Sequence, residues 1–126
     1  MPLYWTIDSR QKLVAIACEG DVTRADLVEY LDVVEGASAL AYRKLFDGTA
    51  FQTSMTASDM LEIGARFRSY HSRPIGPLAM VLPRDKADLF ARVLGILAAA
   101  NRPMRIFERL PPAKRWIETF ARLPGR

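Results

Sequence analysis

The 126 residues contain one cysteine and one histidine. Cys18 and His71 stand far apart, with no HxxxH or CxxC spacing, so the sequence shows no metal site. A single cysteine also excludes an internal disulfide. Cys18 lies in an apolar run, which reads as an inert buried thiol, unsuited to cross-linking two chains. No apolar run approaches the roughly 20 residues of a membrane span. The longest candidate, Val93 to Ala100, is too short and carries Gly95. The N-terminus, MPLYWTID, has neither a basic n-region nor a long apolar h-region, so no signal peptide is expected and the expected compartment is the cytoplasm. Walker-type, GxGxxG and GxSxG motifs are all missing, which gives no phosphate loop, no dinucleotide fingerprint and no nucleophile elbow. Ser54, His71 and Asp47 supply the residue types of a hydrolytic triad, but nothing in their spacing supports one. His71 closes a helix, where its cation suits the C-terminal dipole. The expectation is a chain without cofactor, metal or catalysis.

What is there fits one globular domain over 1–126, with 50% hydrophobic and 25% charged residues. The net charge of +4 is uneven. Up to Pro83 there are 8 basic and 10 acidic residues; from Arg84 onward there are 10 basic and 4 acidic. The basic residues are dispersed over helix surfaces without interleaved aromatics, so they read as a solvated face and no nucleic-acid partner is expected.

Leu3 to Asp8 and Lys12 to Glu19 are β-branched, apolar stretches around a Ser9-Arg10-Gln11 turn, a β-hairpin pattern. Leu13 to Ala17 is apolar without a break, which predicts a strand inside the sheet covered on both faces. Thr23 and Asp26 form a capping-box variant before a helix whose face is Leu27, Tyr30, Leu31 and Val34. Glu29, Asp32 and Glu35 should face water, and Gly36 should stop the helix. A strand over Tyr42 to Phe46 follows, then a polar loop. A second capping box, Thr56 with Asp59, opens a helix lined by Met60, Ile63, Phe67 and Tyr70 and ended near Pro74. Leu78 to Leu82 is a short strand. A helix capped by Asp85 carries a wide stripe around Leu89, Val93 and Leu97, suited to burial on the sheet or in a dimer contact. Met104 to Phe107 is the last strand. Pro112 suits the first position of a terminal helix whose buried stripe is Trp116, Phe120 and Leu123. The order β-β-α-β-α-β-α-β-α predicts an α/β, mostly parallel sheet of about five strands, the first antiparallel.

In such folds ligands and partners bind beyond the carboxyl ends of the strands. Asp47 and Gly48 end the third strand, and Thr49, Ser54, Thr56 and Ser58 lead into a helix N-terminus, where free amides favour an anion. This surface is the expected docking site for a protein partner. A response-regulator receiver would also end a strand in such an aspartate, with Glu19 and Asp21 as its acidic pair. It fails elsewhere: Leu78 to Leu82 ends in Pro83 with no Ser or Thr, and Met104 to Phe107 offers no Lys.

The opening LYWTID…KLVAIACEG, then DVTRADLVEYL, KLFDGTAF and the ending RPMRIFERLPPAKRWIETF resemble the STAS fold of anti-sigma-factor antagonists, and more closely the SpoIIAA-like group of small bacterial proteins. That group is often described together with the lipid-binding SEC14 domain. The resemblance implies a regulatory, protein-binding module. It also implies phosphorylation of a serine near the start of the helix after the third strand, where antagonists carry Asp-Ser-Ser-Gly. This chain has Thr56-Ala57-Ser58-Asp59 there, so Ser54, Thr56 and Ser58 are the corresponding positions. A homodimer is compatible with the pattern. The alternative class is a carrier of a lipid or small apolar ligand. A carrier should show an apolar cavity between sheet and helices, a regulatory module a filled core and an exposed loop surface.

Overall fold

A computed structural model of the chain describes residues 3–70, 73–84 and 102–122. Strands β1 (Leu3–Asp8) and β2 (Leu13–Cys18) form the hairpin, with Leu3 opposite Cys18 and Asp8 opposite Leu13. The turn closes on Asp8, whose Oδ1 accepts the Arg10 and Gln11 N–H groups at 3.0 Å each. After the two-residue β3 (Gly20–Asp21) comes helix α1 (Arg24–Gly36). Next are β4 (Arg43–Asp47), β5 (Phe51–Gln52), α2 (Ala57–Arg68), β6 (Leu78–Val81), β7 (Met104–Phe107) and α3 (Leu110–Thr119), which runs into a 3-10 turn.

The main sheet has five strands in the order β1-β2-β4-β6-β7, with β1–β2 antiparallel and the other three pairs parallel. The short β3 and β5 pair parallel beside it. The predicted architecture therefore holds. Both capping boxes form: Thr23 with Asp26 and Thr56 with Asp59 each exchange side-chain and backbone bonds. Gly36 is the last helical residue rather than the stop, and Ser38 makes the left-handed turn at φ 57°. The helix expected from Asp85 to Asn101, and His71 and Leu123, lie outside the described residues.

The sheet has a core on each face. On one, Val14, Ile16, Phe46, Leu78 and Met80 pack with Tyr30, Leu31 and Val34 of α1 and with Tyr70 beyond α2. On the other, Leu45, Ala79 and Val81 meet Ala113 and Ile117 of α3. The terminal helix is thus seated on Ala113 and Ile117, while Trp116 and Phe120 are only half-buried. The Trp116 indole still packs on the sheet, 6.0 Å from Phe107 and 4.9 Å from Phe120 between ring centroids. Pro111 and Pro112 occupy the second and third helical positions, where no intrahelical N–H bond is lost.

β2 lies inside the sheet, but full cover on both faces is overturned. Val14, Ile16 and Cys18 are buried, whereas Leu13 and Ala15 are half-buried and Ala17 is exposed. Among the described residues one helix serves that second face, and it lies over β4, β6 and β7. Alternating burial follows directly from a period of two with one face uncovered.

Candidate functional site

The carboxyl end of β4 delivers Asp47 and Gly48 as expected. Asp47 accepts the Thr49 N–H (3.1 Å) and hydroxyl (2.6 Å) through Oδ1, which shapes the turn. Gly48 is buried and donates its N–H to the Val81 carbonyl at 2.9 Å. A Cβ there would stand 2.5 Å from the same oxygen, so only glycine allows the loop to leave the sheet this closely. Ser54 binds a different partner: its N–H and hydroxyl donate to the Asp21 carboxylate at 2.7 and 2.9 Å. Thr56 is the α2 cap, and Ser58 is exposed in the first turn. The six residues therefore share one rim of the sheet but fall into three local motifs, and no hydrogen bond joins Asp47 to Ser54 or Thr56.

The other feature is a cavity of about 90 Å³ inside the main core, between the sheet and helices α1 and α2. Ile16, Phe46 and Met80 form its floor, and Leu27, Leu31 and Met60 are among the helical residues that close it. Well-packed interiors hold few voids larger than one water, which needs about 10–15 Å³. This void is several times larger. It is smaller than the roughly 300–1,000 Å³ of pockets for drug-sized ligands, so it suits a short chain or a single ring.

Among the described residues, the side chains of Lys44 and Arg102 border this apolar space. Lys44 sits in the middle strand of the sheet and is 4% exposed. Its ammonium donates to the carbonyls of Leu40 (2.6 Å), Tyr42 (2.7 Å) and Ala39 (3.3 Å). Burial pushes the Lys44 pKa down to about 7, with repulsion from Arg102 added, while the three carbonyls favour the charged form. Arg102 precedes β7 and stands 5.6 Å over the Phe67 ring. Its Nε is enclosed and makes no hydrogen bond. Burial lowers the guanidinium to about 10, which leaves it charged at neutral pH. Burial also raises the Tyr30 hydroxyl, and the Arg102 charge opposes that rise. No carboxylate lines the cavity among the described residues.

The neighbouring basic residue, Arg43, points to the opposite face and is satisfied there. It donates to the carbonyls of Gln11 (2.6 Å) and Ile117 (3.2 Å) and pairs with Glu118 at 3.8 Å. Glu35, expected in water, instead joins α1 to α2. It accepts from Arg66 at 2.9 Å and from the Tyr70 hydroxyl, and Arg66 also reaches Asp32 at 2.8 Å. The Tyr70 bond and then Arg66 hold the Glu35 carboxyl below its usual range.

On the far side of the sheet, where α3 stops short of β1 and β2, a groove of about 340 Å³ runs past Tyr4, Ala15, Ala17, Leu45 and Leu110. Asp47 and Lys114 border it. Among the described residues no three His, Cys, Asp or Glu side chains gather into a metal-binding group, and no helix is long and apolar enough to cross a membrane.

No family model matches the chain, and no curated protein matches it. Among solved structures, it superposes on an uncharacterized protein of the DUF3478 family from Shewanella loihica PV-4, described as having a SpoIIAA-like fold. The match has a TM-score of 0.61, 18% identity, and covers 91% of this chain and 93% of that one. The fold is SpoIIAA-like. At that identity the likeness speaks for the fold alone. Within this SpoIIAA-like sheet the Asp47 loop lies at the rim, and the cavity lies under the two helices that follow β2 and β4.

Proposed function

We propose that this chain is a non-catalytic binding module that holds a small apolar molecule in the cavity beneath α1 and α2. The observation that carries this reading is an apolar cavity of about 90 Å³ between the sheet and the helices of the larger core, where close packing is the rule. Apolar cavities of such size stay dry and take up small apolar ligands; an engineered cavity of about 150 Å³ binds benzene or xenon. Met60 and Met80 line the space and serve as reporters. The test is titration of 1-pentanol against methionine methyl NMR signals. Saturable shifts at Met60 and Met80, lost in a Leu31→Phe variant that fills the space, support the reading. Unchanged methyl signals up to the alcohol's solubility limit overturn it.

A second reading keeps the regulatory, protein-binding role. Its support is the uncovered sheet face, where Tyr4 is 49% exposed and Asp47 borders the groove. The expected docking rim and this open face are therefore contiguous. Ser54→Asp would set a second carboxylate against Asp21, and a partner that docks on this rim would lose affinity.

A further inference from the structure

We propose that β1 is a docking edge for a second copy of this chain, the two β1 strands pairing antiparallel about a two-fold axis at Trp5. Among the described residues β1 ends the sheet and has one neighbour, β2. Along a strand, successive residues turn their backbone N–H and C=O groups to opposite sides. Arg43 donates its N–H to the Lys12 carbonyl and is the register partner of Leu13, so Lys12, Val14 and Ile16 turn their backbone groups toward β4. Leu13, Ala15 and Ala17 turn theirs toward β1, where they meet Asp8, Thr6 and Tyr4. The N–H and C=O groups of Leu3, Trp5 and Ile7 therefore face outward, with no strand among the described residues beside them.

Open sheet edges are ordinarily guarded by Pro, charge, a bulge or shortness. The opposite edge follows that rule: β7 is short, comes directly after Pro103 and carries exposed Arg105. β1 does not. Leu3 to Ile7 holds neither Pro nor charge, and its register with β2 runs without a bulge. Its aromatic side chains are incompletely covered: Tyr4 is 49% exposed, and Trp5, edge-on to Tyr30 at 5.5 Å, is half-buried. Two copies of this edge bond only where outward groups meet outward groups. With Trp5 opposite Trp5, all of Leu3, Trp5 and Ile7 find partners, since Leu3 meets Ile7 of the second copy. Sliding by two residues either way leaves Leu3 or Ile7 unpaired. In the same register Tyr4 meets Thr6 of the second copy on the open face, a close cross-strand pair. Charge permits it: Asp8 is the one charged residue of β1 and lies at its end, so the two carboxylates stand roughly 20 Å apart, beyond the Debye length of about 10 Å. Such a contact uses up the free edge of both copies, and assembly closes at the dimer.

The experiment takes the full chain from about 10 μM to about 1 mM, with sedimentation velocity for mass and amide hydrogen exchange by NMR for the site. The expected result is a monomer–dimer equilibrium in which the Trp5 and Ile7 amides gain protection as concentration rises. The Tyr4 and Thr6 amides, bonded to β2, should be protected throughout. Thr6→Lys sets two like charges beside the axis and should weaken the dimer about tenfold or more. Adding Tyr4→Glu to Thr6→Lys sets opposite charges face to face and should restore it. A monomer at every concentration overturns the proposal. So does a dimer whose Trp5 and Ile7 amides exchange as they do in the monomer, or one that Thr6→Lys leaves intact, because another surface then joins the copies. A dimer weakened by Thr6→Lys and not restored by the double variant refutes the register, and with it the axis at Trp5. The exchange measurement on wild type needs no variant, so it decides the edge even if a substituted chain fails to fold.

Discussion

Lys44 should make the stability of this protein rise with pH in a range where few other groups titrate. In the unfolded chain its ammonium titrates near 10.5; in the fold, burial lowers that to about 7. Between those values the unfolded chain carries a proton that the folded chain has released. Stability then increases with pH, by about 1.4 kcal/mol per pH unit for one proton. Below pH 7 both states are protonated and the penalty is fully present; it is relieved as pH climbs toward 10.5. Between pH 7 and 9 the wild type should therefore gain about 2–3 kcal/mol relative to Lys44→Met, which has no proton to release. The assay is urea unfolding followed by tryptophan fluorescence at pH 7, 8 and 9 for both proteins. Other titrations cancel in the difference, and pH 9 stays below about 10, to which burial lowers Arg102. The variant also bares the three carbonyls that the ammonium binds, a cost of about 1–3 kcal/mol each if they find no water, but that offset does not vary with pH. Parallel curves for the two proteins would refute the reasoning: the three carbonyls would then hold the charged form as well as water does.

Five other substitutions test the packing and the ion network. Gly48→Ala should lower stability by about 1–3 kcal/mol, because its Cβ meets the Val81 carbonyl at 2.5 Å; an unchanged Tm would mean that the loop yields freely. Ile117→Ala should cost about 2–5 kcal/mol and Trp116→Ala no more than about 2, since the first is fully buried and the second half-buried; chemical denaturation that ranks them in reverse would move the seat of α3 to the indole. Glu35→Gln should lose about 1 kcal/mol at neutral pH, a figure discounted for the 31% exposure of its side chain. Because the Glu35 carboxyl is held below its usual 4.5, that loss should shrink as pH falls through the folded value, and a difference constant down to pH 3 would argue against the pairing. Ser54→Ala should cost about 1 kcal/mol by freeing Asp21, measured by thermal unfolding; no change would leave the β3–β5 region held by its backbone alone.

Local signals carried most of the fold. The two capping boxes depend on residues three apart, the hairpin on Asp8 and its own turn, and Leu78–Val81 on a short apolar run, so each is readable from its own stretch. What escaped depends on neighbours far along the chain. Ala15 and Ala17 are small enough to suit either a buried or an open strand face, and only the reach of α3 decides which. The position of Glu35 on α1 points it to water, but its partners Arg66 and Tyr70 are 31 and 35 residues away. The basic pair Arg43-Lys44 did leave a sign. Two charges inside a strand in the middle of a parallel sheet must be buried on opposite faces, and each must find acceptors there. Arg102 left none, because a residue before a strand is ordinarily solvated.

The rim and the cavity differ in what their polar groups still lack. At the rim every polar side chain that defines a motif is already bonded within the chain: Asp47 to Thr49, Ser54 to Asp21, Thr56 to Asp59. A partner there would have to compete with those bonds or add to them. Beside the cavity the Lys44 ammonium is bonded to three carbonyls, and the Arg102 Nε is enclosed with no acceptor. A ligand that fills the apolar void leaves both groups as they are and gains packing alone. A ligand that binds only the folded state raises stability by RT ln(1 + [L]/Kd), about 2.7 kcal/mol at a hundredfold excess over Kd. For 1-pentanol that stabilisation should follow the cavity and vanish in Leu31→Phe, whereas any partner of the rim should stabilise wild type and Leu31→Phe alike.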